Sequence, residues 1–447
     1  MVAQSVQHPN YTLLTWFFMK RFATLCLLVA VITPASDLFA GDADWPQWRG
    51  PQRDGHAAPQ ELLESWPEQG PRLKWTFTQA GRGYSALAVV DDRIYTMGSD
   101  EENCYAYCID FKSGKEMWKT AVGKASTSGE YNHGWGGGPR ATPTVDGDQI
   151  FLTTDIGVVV ALAKDSGEVQ WSVDMVDVYG GKVPVWGYSE SPLVDGDRVI
   201  VTPGGENFMV GLDRTSGDKV WASQGVNAPV QYVSPLKGTV GSTTFYVTAS
   251  KPGLFAFDVT SGNEVFSDDT TGNDVAVIPT PVLVGDQLYH TSDYGAGNTL
   301  LKLSAGDDGK LKTESIYHLE GKTMRNHHGG VVLVDGVIYG FSKINRGVWM
   351  AQDLESGEVL WEQSVDKNKS GSICYADGKL YCYNDTDGSC YLVTPNRDGW
   401  KETGKVVLPK QTELERDKGA IWAHPVVANQ TLFIRDQDLI FAFDIAK

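Results

Sequence analysis

One nine-residue phrase constrains this chain more than any other feature. It runs Asp or a substitute, two residues, Ser-Gly, three residues, then Trp or Phe. It reads DFKSGKEMW at 110–118, AKDSGEVQW at 163–171, DRTSGDKVW at 213–221, DVTSGNEVF at 258–266 and DLESGEVLW at 353–361, with looser versions at 303–317 and 393–406. A period of about 40–50 residues means a solenoid or a propeller. The 3.6-residue periodicity that a helical solenoid needs is absent.

Half a period earlier stands a second phrase: TPTVDGDQIFLTT, SPLVDGDRVIVTP, TPVLVGDQLYHTS, GVVLVDGVIYGFS and SICYADGKLYCYN. An apolar run, an Asp-Gly or Gly turn and another apolar run is a hairpin signature. Adding the strand before Asp-x-x-Ser-Gly and the strand holding Trp gives four antiparallel strands, one blade of a propeller. First strands begin near Ser85, Ala141, Glu190, Val233, Ile278, Gly329, Ser372 and Ala423, which makes eight blades. The last blade stops after its third strand, and LKWTF at 73–77 can supply the fourth. The expected fold is therefore all-β: an eight-bladed β-propeller of four-stranded antiparallel blades, closed by N- and C-terminal strands sharing the last blade. Residues 72–447 form this single domain, with 41–71 as a lead-in packed upon it.

A formal charge of -18 sets a field that repels nucleic acid and anionic lipid, so neither is an expected partner. The apolar run Phe22–Ile32 follows Lys20-Arg21 and precedes a small-residue exit near Ala40, the layout of a cleaved export signal over residues 1–40, with Met19 an alternative start. That run is too short to span a bilayer. The expectation is an exported, periplasmic or extracellular monomer. Five cysteines follow the leader. Cys104 and Cys108 sit too far apart in one strand to pair, whereas Cys374, Cys382 and Cys390 fall on successive strands, where one bridge or buried thiols are both possible.

The Asp-x-x-Ser-Gly-x-x-x-Trp blade resembles the pyrroloquinoline-quinone repeat of quinoprotein dehydrogenases and of the outer-membrane-assembly propeller lipoproteins, from Asp44 onward. The opening DWPQWRGPQRDG followed by LKWTF is similar in order and placement to the start of quinoprotein dehydrogenases. This resemblance implies a quinone cofactor with calcium and dehydrogenase activity, or an assembly scaffold without either. No two cysteines are adjacent, and the calcium-binding Glu, Asn and Asp set of the dehydrogenases finds no residue-by-residue match.

Segments leading into the first strands converge at one mouth of a propeller channel, and here they are rich in aromatics and cations. GRGYS, HGWGGGPR, WGYSES, QYVS, RNHHGG, KNKSGS and KGAIWAH supply candidate ligand-binding residues His133, Trp135, Arg140, Trp186, Tyr188, Tyr232, Arg325, Asn326, Lys369, Trp422 and His424. Glu190, His327 and His328 are the candidate catalytic acids and bases. Adjacent histidines on a strand would point to opposite sides, so one of the pair is expected to face the channel. No metal site is expected, and NDTDGS at 384–389 reads as a hairpin turn rather than a calcium loop. Two functions fit: a binding or assembly scaffold working through its mouth and loops with a protein or small-molecule ligand, or a quinone-dependent alcohol or sugar oxidoreductase. In the stretch WPQWRGPQRDG at 45–55, Trp45 and Trp48 read as anchors of a clasp, and Arg49 and Arg53 as partners for an acidic surface.

Overall fold

The computed structural model describes residues 43–306, 308–365 and 369–447; the leader, with Met19 and Cys26, lies outside them. Among the described residues the strands form eight four-stranded antiparallel sheets. Blade one consists of Ala88–Val90, Arg93–Ser99, Asn103–Asp110 and Glu116–Lys124, each paired with the next. Six more blades repeat the pattern, with first strands at Thr144–Asp146, Leu193–Asp195, Leu236–Val240, Val282–Val284, Val331–Val334 and Gly371–Ala376. The eighth is composite. Val426–Ala428, Thr431–Asp436 and Leu439–Asp444 come from the C-terminus, and Arg72–Phe77 adds the outer strand in the register Arg72↔Asp444 to Phe77↔Ile440.

The nine-residue phrase is explained by what its two ends do. The Asp110 carboxylate accepts from the Ser113 amide at 2.7 Å and from its hydroxyl at 2.5 Å, which holds that carboxyl below its usual range. Asp213, Asp258 and Asp353 bind their own turns in the same way. The glycine that follows is left-handed, with φ of +66° at Gly114, a conformation that costs other residues dearly. It also clears space for a ring. A Cβ at Gly114 would lie 2.5 Å from Trp75, one at Gly167 2.6 Å from Trp118, and one at Gly217 2.8 Å from Trp171. Each of these tryptophans belongs to the outer strand of the preceding blade.

In two of these three docks a hydrogen bond is added, while the Trp118 indole has no acceptor. The Trp75 indole donates to the Phe111 carbonyl at 3.0 Å, and that of Trp171 to the Arg214 carbonyl at 2.9 Å, in both cases the residue after the turn's aspartate. Blade five carries Tyr317 instead, and its hydroxyl reaches the Leu354 carbonyl at 2.9 Å. In the outermost strand pair of every blade the register shifts once, and in blade one twice, a bulge that re-aims the side chain toward the next blade.

Hydrophobic burial follows the same plan. Apolar clusters lie between successive blades: Met97, Cys104 and Val122 of blade one with Ile150 and Val160 of blade two, and Phe245 and Leu254 of blade four with Leu288 and Leu301 of blade five. The five described cysteines are buried and free. Cys374, Cys382 and Cys390 do sit on successive strands, but the register sets Cys382 opposite Ile373 and Cys390 opposite Tyr383. One element had no sequence signal in the repeat: the short helix Met175–Tyr179 between blades two and three, capped by the Asp174 side chain.

Trp171→Ala removes both the ring and its hydrogen bond from a buried position, and is expected to cost about 3–5 kcal/mol in chemical denaturation. Trp171→Phe keeps most of the packing and loses the donor, an expected cost nearer 1 kcal/mol.

Candidate functional site

First strands run away from the mouth, so the segments joining one blade to the next and the turns between second and third strands share its face. The stretch 45–55 enters the axis from the opposite face. Ala43 exchanges bonds with the Asn429 side chain and backbone, in the first turn of blade eight. From there Trp45 pairs with Val89 of blade one in both directions at 2.8 Å, and the Pro46 carbonyl accepts from Val145 of blade two. The Trp48 indole donates to Thr280 ahead of blade five at 3.0 Å, and Gly55 accepts from Tyr375 of blade seven. Left-handed backbone at Arg49, Gly50, Arg53 and Gly55 folds the stretch into a tight double turn.

Its arginines correct the sequence reading. Arg49 and Arg53 meet no acidic surface; they are buried in the axis and donate to backbone carbonyls. Arg53 binds the Ser191 carbonyl at 2.8 Å and that of Pro192 at 2.9 Å in blade three, while Arg49 binds Asp54 at 3.0 Å and Val331 of blade six. Innermost strands leave one edge of carbonyls without a strand partner, and a guanidinium fork satisfies two or three at once. The segment is thus an axial plug that joins seven blades.

Above the plug lies the mouth. The Trp48 ring meets His424 at 4.5 Å, and His424 donates from Nε2 to the His328 carbonyl at 3.0 Å. Trp422 is the hub. Trp135 stacks on it at 5.8 Å and 19°, Tyr84 lies at 5.5 Å, and His327 and His328 lie at 5.9 and 5.7 Å. Both histidines therefore face one ring, against the expectation of opposite sides, because residues 323–328 are irregular backbone rather than strand. His327 shares a 3.1 Å hydrogen bond with Tyr294, and His328 one of 3.0 Å with Ser370. Burial and the Lys343 ammonium push His327 down to about 3, and burial with its neighbours pushes His328 and His424 well below the usual imidazole range. All three are neutral hydrogen-bonding groups near pH 7.

The other predicted residues divide. Arg140 spans the Tyr84 and Tyr131 rings at 5.1 and 5.5 Å while donating to the Gly136 and Gly138 carbonyls. His133 packs on Tyr131 at 4.4 Å, and Trp186 on Tyr232 at 5.8 Å. Lys369 is exposed, and its amide donates to Asp385. Arg325 is held by Asp293 at 2.8 Å, a carboxylate that Lys343 also approaches at 3.3 Å. Three candidates are wholly buried: Tyr188 donates to the Pro203 carbonyl, Asn326 binds Gly330 and Phe341, and Glu190 accepts from the Thr202 amide at 3.3 Å. Tyr294, Asp293 and Lys343 were missed because they lie in or beside second-to-third-strand turns. Those turns share the mouth's face, and Tyr294 holds φ of +58°, a marked strain for a bulky residue.

This donor set does not fit calcium with a quinone. Among the described residues no group of three His, Cys, Asp or Glu side chains could hold a metal. Arg325 and Asn326 spend their donors on Asp293 and the backbone, and the axis beneath the mouth is taken by Trp48 and His424.

The family model described as outer membrane protein assembly factor BamB matches residues 102–363. The chain belongs to this family. The outer membrane protein assembly factor BamB of Burkholderia pseudomallei is 22% identical over 399 residues, covering 86% of this chain and 91% of that protein. Among solved structures, BamB from Moraxella catarrhalis superposes with a TM-score of 0.58 at 16% identity, covering 84% of this chain and all of the other. The quinohemoprotein alcohol dehydrogenase of Comamonas testosteroni reaches 0.62 at 11% identity, covering 91% and 81%. The last two likenesses establish the propeller fold alone.

Burial raises the Glu190 carboxyl from 4.5 to about 7. The folded state therefore binds this proton more tightly than the unfolded one, and the associated stability is complete below about pH 4.5 and lost as pH rises through about 7. Glu190→Gln keeps the shape without the titration. Its melting temperature relative to the native protein is expected to climb between about pH 5 and about pH 8.

Proposed function

We propose that this chain is an exported scaffold for the assembly of outer-membrane proteins, and that it docks a protein partner on the rim of its mouth. The observation that carries the reading is an arc of exposed apolar side chains on that face. Val178 and Val185, joining blades two and three, are 60% and 56% exposed; Val275, joining blades four and five, is 41% exposed and Tyr294 of blade five 39%. Exposed apolar residues gathered on loops above a rigid ring are the usual mark of a recognition surface. Family membership supplies the process, since the related proteins are described as outer membrane protein assembly factors.

The mouth itself contributes rigidity. Ring contacts tie Tyr84, Trp135, His327 and His328 to Trp422, and Trp186 to Tyr232, so these parts of the rim present a fixed shape to a partner, at little entropic cost on binding.

The test is made in the source organism. Removing the chain is expected to lower the amount of folded β-barrel protein in the outer membrane, read by heat-modifiable migration. The native chain should restore it. The double variant Val178→Asp, Val185→Asp should not, although its melting temperature stays within a degree or two because both positions are exposed. Full restoration by that variant would remove the rim from the mechanism.

A further inference from the structure

Blade five departs from its neighbours in the length and exposure of its outer strand. Leu311–Leu319 has nine residues, whereas the outer strands of the other blades have four to six, apart from the nine of Glu116–Lys124 in blade one. Five consecutive residues, Lys312 to Ile316, are exposed, so neither adjoining blade covers either side of the strand there. An outermost strand is paired on one edge only. Its other edge carries amide and carbonyl groups that can template a further strand. Pairing with the inner neighbour Gly297–Ala305 is regular from Leu311 opposite Ala305 to Ser315 opposite Leu301, and the bulge at Ile316 ends that stretch. In blade one two register shifts break up the equally long edge. The stretch open to a partner is therefore Leu311–Ser315, centred on Thr313.

Its charges select what can pair there. Lys312 and Glu314 stand two positions apart and so share one face of the sheet. Among the described residues neither forms an ion pair, although Glu314 lies opposite Lys302 within the blade. An antiparallel copy of the same stretch, related by a twofold axis through Thr313, sets Lys312 against Glu314 of the second copy and Glu314 against its Lys312. Leu311 then meets Ser315, and Thr313 meets its own counterpart. Opposite charges directly across an antiparallel pair attract, and the arrangement closes on itself as a twofold interface must. A proline, a bulge or charges of a single sign would turn such a copy away, and Leu311–Ser315 contains none of these.

We propose that two copies of this chain associate through the outer edges of their fifth blades, Leu311–Ser315 pairing with itself so that two four-stranded blades become one continuous sheet. Blade strands run along the ring axis, so antiparallel pairing points the two mouths in opposite directions and leaves both open. The surface depends on no reading of the mouth or its rim. So few paired residues keep the interface below about 1,200 Å², the size of transient complexes. The monomer expected from the sequence then holds only on dilution.

Sedimentation velocity on the purified protein, between about 1 µM and about 200 µM, tests the pairing. The mean mass should climb with concentration toward that of two chains. Lys312→Glu and Glu314→Lys each set like charges opposite one another, and each should raise the dissociation constant about tenfold or more. Both positions are exposed, so neither variant should shift the melting temperature. Mixing the two variants in equal amounts should restore association, because one then offers two carboxylates to the two ammonium groups of the other. A native chain that stays monomeric throughout overturns the proposal, as do single variants that associate like the native chain or a mixture that does not associate.

Discussion

The propeller depends on one contact made again and again: an aromatic ring on the outer strand of one blade lies against the Ser-Gly turn of the next, and at Trp75, Trp171 and Tyr317 its polar hydrogen also caps a carbonyl there. A sheet of four strands cannot bury both faces alone, so each blade is stable only between two others. The ring contact fixes the angle between neighbours at the rim, where the sheets diverge most. The smaller size of a phenol relative to an indole is absorbed without loss of the bond, as Tyr317 demonstrates. What the repeat preserves is the flat ring itself, since Phe266 carries no donor and the Trp118 and Trp221 indoles find no acceptor.

At the other radius, the axis is governed by electrostatics rather than packing. Inner strands converge there, bringing carbonyls of blades three and six within reach of the same short segment. An eight-blade ring is too wide for side chains of the inner strands to fill its centre. The plug fills it with backbone, two tryptophans and two guanidinium forks. This links the axis to the mouth, because Trp48 reaches His424, and His424 reaches the backbone of His328. The floor of the mouth is thus built by residues that precede the first blade in the chain.

Fold and site were legible to different depths for a physical reason. Each half of the nine-residue phrase has a local task, a turn or a strand, so the blades, their number and the composite eighth blade could be read from spacing. The mouth was legible in composition: Trp135, His327, His328, Trp422 and His424 do gather there. Their pairing was not, since Trp135 and Trp422 meet only through the curvature of the closed ring. Arginine is among the residues least often buried, and in an acidic chain a surface ion pair is the ordinary reading of Arg49 and Arg53. Nothing local to WPQWRGPQRDG reveals that its destination is a channel whose width depends on all eight blades.

The composite blade also sets how the molecule bears load. Arg72 opposite Asp444 places the start of the first strand and the end of the last at the same extremity of an antiparallel pair. Tension applied through the two chain ends would peel this pair one hydrogen bond at a time instead of shearing them together, the weaker of the two geometries. The lead-in intervenes. Leu63 bonds to Ile445 and Trp66 to Thr403, and the plug lies farther still toward the N-terminus, so a pull from that side must first extract a wedge from the centre of the wheel. A zipper guarded by its own wedge lets a ring with no covalent closure be tethered by one end.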